Sequence, residues 1–475
     1  MNRKEREDLL CRSERQVDLL QETVLSKTGL IERARLGFAG SHTVVTYPPL
    51  DALEVIEADL LLDRISPVKD LNIYLHIAFC EFLCPFCHYD TQYTKIGGQE
   101  SEGARNYLDA LKSEIQNWKT LVSDSTLNSI YIGGGTPTVV SADRLLELMS
   151  LLDDLKRSKN FTACVETSPL TATASDGRKK LATLARAGVN RFSIGIQSFN
   201  EQLLKRSRGH GQKVVLDALR VVLGLTDNVN IDLIQDLPNQ SIDHVLDDLD
   251  FVEMLRPSQV TWYIMRLRPE SAWFKTYTRS RLDLGDSLSS VQKRVLILDG
   301  MTRLGYKPHP GGRFIRDDHF KDDYKTVRAG LDSTLLGLGV SAYSHGWDYL
   351  FRNVFSTVDL NGAGEYIRRV RKFGFAIESG YLIDEVENIA SRLVSGIRSG
   401  ARLPDPTPST EFYLNESRSV LNSLCSFGLI DVDSEGSYSL SETGFLFEEE
   451  ICSMFYSPAV RERLRTKYSN GAATA

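Results

Sequence analysis

The sequence predicts an α/β protein: a partial or complete barrel of six βα units, with a helical extension before it and a small winged-helix-like domain after it. Three observations carry this. First, short apolar runs recur from residue 70 onward: LNIYLHIAF (71–79), SIYIGGG (129–135), FTACVET (161–167), RFSIGIQSF (191–199), VNIDLIQDLP (229–238) and QVTWYIMRL (259–267). Second, the stretches between them, among them NYLDALKSEIQNW, SADRLLELMSLLDDL, GRKKLATLARAG and SIDHVLDDLDFVEML, space their apolar residues at helical intervals. Near-continuous apolar strands alternating with helices belong to a parallel sheet covered by helices. Third, the rhythm is absent at both ends of the chain, which marks off the flanking parts.

Taken in order, residues 1–65 form the helical extension, since LLCRSERQVDLLQETVL repeats its apolar residues at helical spacing. Residues 66–346 form the barrel core. Ser141 and Ser241 stand where helix N-caps belong, and Gly188 where a C-cap glycine belongs. Residues 347–475 form the C-terminal domain. There the helix EVENIASRLVSGIRSG precedes the proline-rich LPDPTP and a second helix, TEFYLNESRSVLNSLCSFG. LIDVDSEGSYSLS reads as two strands around a tight turn, and a last helix carries Glu448, Glu449 and Glu450. In a barrel the working residues sit at the C-terminal ends of the strands.

Composition narrows the function. The chain has 475 residues, 42% hydrophobic and 25% charged, with a net charge of −7. No basic surplus advertises a nucleic-acid partner. No apolar run approaches the length of a membrane span. The opening MNRKEREDLLCRSERQ lacks the apolar core of a signal peptide, so a cytoplasmic protein is expected.

Three of the seven cysteines, Cys80, Cys84 and Cys87, crowd into CEFLCPFC directly after the first predicted strand. That spacing lets one loop aim three sulfurs at one centre, and clustered cysteines in such a chain read as a metal site rather than a disulfide scaffold. Structural zinc and ordinary [4Fe–4S] sites take four protein ligands. Three thiolates suit a cubane with one iron open to a non-protein ligand. His88 is the alternative fourth ligand for zinc, although it follows Cys87 too closely to be a comfortable one. GGGTPT (133–138) lets backbone approach a ligand, or is a plain tight turn. Glu166 ends the third strand, where it can bond a ribose or ammonium group or stand as a satisfied carboxylate at the rim. Asp232 is costly inside VNIDLIQDLP unless it is paired or bonded to a ligand.

CEFLCPFC matches the C-x3-C-x-aromatic-C motif and so resembles the radical S-adenosylmethionine (radical SAM) enzymes. YLHIAFC…CPFCHY with IYIGGGTPT is similar to the branch of the oxygen-independent coproporphyrinogen III dehydrogenases, which also holds a haem chaperone and the class C radical methyltransferases and cyclopropanases. NRFSIGIQSFN, NIDLIQDLP, the DHF triplet at 318–320 and LLGLGVSAYSH follow in family order. The resemblance implies a partial (β/α)6 radical SAM barrel, a [4Fe–4S] cluster on Cys80, Cys84 and Cys87, and S-adenosylmethionine as cofactor.

It also implies cofactor contacts at Tyr74, Gly134, Glu166, Gln197, Arg208 and Asp232, and at Phe86, Gly135 and Thr136 near a second cofactor molecule. Arg208 carries the family arginine on the assumption of a one-residue deletion, because Gly209 fills the matching position. The dehydrogenases carry a further cysteine where this chain has Tyr89. The haem chaperone's His-Asn and Tyr-Trp signature meets HFKDDYK (319–325), and His319 either lines a substrate site or packs beneath the C-terminal domain. Tyr89 and GLGVSAYSH lead to the expectation of a class C enzyme that uses two S-adenosylmethionines to place a methyl or methylene group on an sp2 carbon. Oxidative decarboxylation of coproporphyrinogen III is the alternative, and a haem chaperone the second. The implied partners are a small-molecule substrate and an electron donor such as flavodoxin or ferredoxin, without nucleic acid or membrane.

Overall fold

A computed structural model of the chain describes residues 1–30, 47–65, 69–98, 100–268, 271–277, 286–316, 333–355, 362–398 and 400–471. The DHF triplet, His319 and the HFKDDYK stretch lie outside the described residues. Every one of the six apolar runs contains a strand: β1 (Asp70–Ile77), β2 (Thr126–Gly134), β3 (Lys156–Thr167), β4 (Arg191–Gln197), β5 (Val229–Gln235) and β6 (Gln259–Ile264). They lie side by side in chain order, all parallel.

Shorter strands extend the row at both edges. β7 (Lys307–His309) and β8 (Arg313–Ile315) add antiparallel beyond β6. On the other side β9 (Thr334–Leu338) pairs parallel with β1, and β10 (Tyr343–His345), β11 (Tyr349–Asn353) and β12 (Ile377–Leu382) follow antiparallel. With Glu54–Val55 on β12 this makes one thirteen-stranded sheet. LLGLGVSAYSH thus supplies β9 and β10.

One face of β1, with Leu71, Ile73, Leu75 and Ile77 fully buried, packs into the main apolar core. The other face alternates with it and is polar and aromatic: Asn72, Tyr74 and His76 lie beside Ser129, Tyr131 and Gly133 of β2. Its inner residues are hydrogen-bonded across the strands. Ser129 donates to Asn72 at 2.7 Å, Asn230 to Ser193 at 2.8 Å, Thr261 to Asn230 at 2.8 Å, and the buried Arg191 to Gln259 at 3.0 Å. Most buried polar groups in folded proteins are bonded in this way.

Helices cover the sheet, among them α1 (Arg3–Leu20), α2 (Glu102–Leu121), α3 (Ala142–Ser150), α4 (Gly177–Arg186), α5 (Glu201–Arg208), α6 (Gln212–Leu223), α7 (Ile242–Leu255) and α8 (Ser287–Arg303). Ser141 caps α3 and Ser241 caps α7 through side-chain oxygens, and Gly188 follows α4 at a φ of 105°. After β11 come α9 (Gly362–Phe373), α10 (Glu385–Gly396), α11 (Glu411–Ser426), the hairpin Ile430–Val432 with Tyr438–Leu440, α12 (Glu448–Cys452) and α13 (Pro458–Gly471). α12 docks on the parallel sheet's side through ion pairs: Arg266 to Glu449 at 2.8 Å and Arg294 to Glu450 at 2.9 Å. No helix among the described residues is long and apolar enough to cross a membrane.

Candidate cofactor centre

The cysteine loop leaves the C-terminal end of β1, and backbone bonds close its neck. The amide of Gln92 donates to the Ala78 carbonyl at 2.7 Å, and that of Thr94 to the Cys80 carbonyl at 2.8 Å. Inside the loop the Cys87 amide donates to the Cys84 carbonyl at 3.0 Å, the turn that brings these two residues to one side. Burial pushes the Cys80 thiol up to about 12 and the Cys87 thiol up to about 11. Thiolates in such a place need a compensating positive charge, which iron supplies. Among the described residues no three His, Cys, Asp or Glu side chains converge on one ion-sized point.

Neighbouring elements clamp the loop. Ser168, at the start of the turn after β3, donates to the Glu81 carboxylate. Phe82 rests on Gly209, and Arg208, the last residue of α5, donates to the Cys84 sulfur at 3.1 Å. The Trp273 amide donates to the Pro85 carbonyl at 2.9 Å, and its ring meets Phe86 at 5.7 Å. His88 stacks on Tyr89 at 4.7 Å, with Tyr89 49% exposed.

The glycine run is shaped by its neighbours. A Cβ on Gly133 would lie about 3 Å from the Glu166 carboxylate, and one on Gly134 would lie 2.8 Å from the His76 ring. A Cβ on Gly135 would lie 2.4 Å from the Phe79 carbonyl and 3.0 Å from the Cys80 sulfur. The amides of Gly135 and Thr136 donate to the carbonyls of Ile77 and Phe79 at 2.8 and 2.7 Å, which continues the β1–β2 pairing into the loop. The Thr136 hydroxyl lies 3.7 Å from the Cys80 sulfur.

Around this seam stand the remaining candidates. Glu166 accepts from the Tyr131 hydroxyl at 2.8 Å and the Gly134 amide at 3.2 Å. Tyr74 bonds Nδ1 of His76 at 3.1 Å, and its ring meets that of Tyr131 at 6.1 Å. His76 is buried, its Nε2 has no partner, and burial holds its pKa down at about 4, so the ring is neutral. Gln197 ends β4 at a φ of 71°, in the left-handed region that a side chain rarely adopts. Its Oε1 is buried without a partner. The turn that imposes this is pinned by Asp248, which accepts from the Phe199 amide at 2.6 Å and from Ser198. Burial drives that carboxyl up to about 7. Asp232 accepts from Ser193 at 3.2 Å and from Asn230 at 2.8 Å.

The structure therefore joins Tyr74, Gly134, Gly135, Thr136, Glu166 and Cys80 into one contiguous seam. Arg208 stands at Cys84, Phe86 on Trp273, and Gln197 at the neighbouring strand end. His76 and Tyr131 went unnoticed in the sequence. Their signal was strand alternation, since His76 is two residues after Tyr74 and Tyr131 two before Gly133. The donor set fits the implied cofactors: three thiols, a backbone cradle that a Cβ would fill, and an orphaned amide oxygen at Gln197.

Residues 74–252 match the radical SAM superfamily. These residues make up a radical SAM domain, and its likeness lies with the HemN-like branch. The haem chaperone HemW of Bacillus subtilis is 26% identical over 391 residues, 81% of this chain and 98% of its own length. The oxygen-independent coproporphyrinogen III oxidase of Salmonella typhimurium is 27% identical over 453 residues, 88% of this chain and 93% of its own. Among solved structures, the coproporphyrinogen III oxidase HemN of Escherichia coli, described as a radical SAM enzyme, matches with a TM-score of 0.71 at 24% identity, over 87% of this chain and 96% of that one. The radical SAM domain and the oxidase relatives imply a radical SAM enzyme that uses a [4Fe–4S] cluster and S-adenosylmethionine. Such enzymes generally take a small-molecule substrate and an electron donor.

The expectation of methyl or methylene transfer is corrected by these relatives, which are haem chaperones and coproporphyrinogen III oxidases. Its supports were Tyr89 in place of a cysteine and the GLGVSAYSH stretch; Tyr89 is half-exposed and stacked on His88, and GLGVSAYSH runs through the end of β9 and β10.

Proposed function

We propose that the chain catalyses an oxygen-independent oxidative decarboxylation of propionate side chains on a porphyrinogen of the coproporphyrinogen III type. The observation that carries this is the reach of the oxidase likeness, 453 residues at 27% identity, across nearly all of both chains. In this reading Cys80, Cys84 and Cys87 hold three irons and leave the fourth to S-adenosylmethionine. Tyr74, Gly134, Glu166, Gln197 and Asp232 would face that cofactor, with Phe86, Gly135 and Thr136 beside a second molecule. When bound, the cluster and cofactor together supply a hydrogen-abstracting carbon radical.

The chain's own residues then have simple tasks. Glu166, oriented by Tyr131 and the Gly134 amide, accepts from a hydroxyl or ammonium group. Gln197 offers its unpaired oxygen as a second acceptor. The seam is partly buried, which limits access of water and stray hydrogen donors. In the net change a propionate would give up a hydrogen atom (which ends in 5′-deoxyadenosine), carbon dioxide, and one electron to an external acceptor, and become a vinyl group.

A second reading, haem binding without catalysis, is favoured by the HemW relatives, which align over 97–98% of their own length. Anaerobic, reduced enzyme given S-adenosylmethionine and coproporphyrinogen III separates the two. Carbon dioxide, vinyl-bearing product and 5′-deoxyadenosine without S-adenosylhomocysteine are expected. Tight stoichiometric haem binding with coproporphyrinogen left untouched overturns the proposal.

A further inference from the structure

The arginine that the resemblance assigns to the cofactor stands, in this fold, against a cysteine sulfur. Gly209 caps α5 at a φ of 70°, and a Cβ there would lie 2.4 Å from the Phe82 ring, so the helix end is seated on the cysteine loop. That seat aims Arg208 inward. Its Nη1 donates to the Cys84 sulfur at 3.1 Å, and its Nε is buried without a partner. Cys84, Glu81 and Cys80 are the charges acting on it. Among the described residues the hydrogen-bond donors to the other two sulfurs are neutral: the Thr136 hydroxyl at 3.7 Å for Cys80, and the amides of His88 and Tyr89 for Cys87, on which Arg208 acts only through its charge.

We propose that Arg208 is a positioning residue for the iron–sulfur cluster, whose guanidinium hydrogen-bonds the Cys84 thiolate and raises the cluster's reduction potential. One-electron reduction by the external donor adds a negative charge to the cluster. A fixed cation within hydrogen-bond distance, at a site shielded from water, stabilises that reduced state more than the oxidised one. Glu81 opposes it, since its carboxylate lies near the same sulfurs. The inference rests on the cluster alone and not on which substrate is turned over.

The test is a redox titration of reconstituted full-length protein without S-adenosylmethionine, read by the electron paramagnetic resonance of the reduced cluster. Arg208→Gln and Arg208→Met should make reduction at least about tenfold less favourable, a shift of about 59 mV to more negative potential for one electron. Arg208→Lys, which keeps the charge, should recover most of the shift. Glu81→Gln should move the potential the opposite way. Lys205→Met, exposed on the same helix, should leave it unchanged. An unchanged potential in Arg208→Gln and Arg208→Met with full iron content, together with weakened S-adenosylmethionine binding, overturns the proposal and returns Arg208 to the cofactor's carboxylate. Failure of all three Arg208 variants to load iron also overturns it, because a tuning role leaves the three cysteines able to bind.

Discussion

A methyl group at position 135 has nowhere to go. The Phe79 carbonyl would lie 2.4 Å from it and the Cys80 sulfur 3.0 Å. The carbonyl is backbone of the loop that carries the first cluster ligand and cannot swing aside, so Gly135→Ala must part β2 from the cysteine loop. The expected result is a reconstituted protein with less than about half the wild-type iron and S-adenosylmethionine binding weakened by about tenfold, or about 1.4 kcal/mol. Gly103→Ala, a helical position with nothing within 4 Å, is the control. It should keep its iron and gain up to about 1 kcal/mol of helix stability. Iron analysis and calorimetry read both. At this scale the sequence was most legible where chemistry is local: three cysteines in eight positions identify themselves. The direction of Arg208 was not legible, because it depends on how α5 ends and what that end rests on.

Elements meet the site by their ends. α5 stops at Gly209, whose left-handed backbone suits glycine and whose missing side chain admits Phe82. Gly209→Ala therefore combines a strained cap with a clash, and should lower the thermal midpoint and speed loss of the cluster on exposure to chelator. Adding Phe82→Leu removes the clash but not the strain, so the double variant should be better than additive. Equal chelation rates for wild type and Gly209→Ala would show that α5 does not support the loop. The six parallel strands were readable from their apolar runs, and the hairpin after α11 from its turn residues. The antiparallel strands β10 to β12 were not, since they are three to six residues long and their partners are set by tertiary packing. The polar face was half-hidden as well. Asn72, Ser129, Ser193 and Asn230 interrupt apolar runs singly, and only their pairing across strands shows them to be one layer.

The whole molecule is tied together by charges far apart in sequence, which no local pattern reveals. Glu450 of α12 accepts from Arg294 at 2.9 Å and Arg266 at 3.3 Å, with every side chain in the triad largely buried. Burial alone would raise its pKa, but Arg294 and Arg266 outweigh that and hold the carboxyl down at about 2. Its folded pKa thus lies below the unfolded carboxylate value near 4.3. Its contribution is present above that value and is lost as pH falls towards about 2. Glu450→Ala should loosen the C-terminal helices from the sheet at neutral pH. The cost should approach about 3–5 kcal/mol, the range for stranding a buried charge. Retained Glu449 on Arg266, and the Leu446 carbonyl on Arg294 at 2.8 Å, hold it to the lower end. Urea unfolding measures this. The pH series adds the sign: the gap in stability between wild type and Glu450→Gln should narrow as pH is lowered from 5 to 3. A gap that stays constant across that range would mean that Glu450 has the same pKa folded and unfolded, and that α12 is held on the sheet by packing instead of charge.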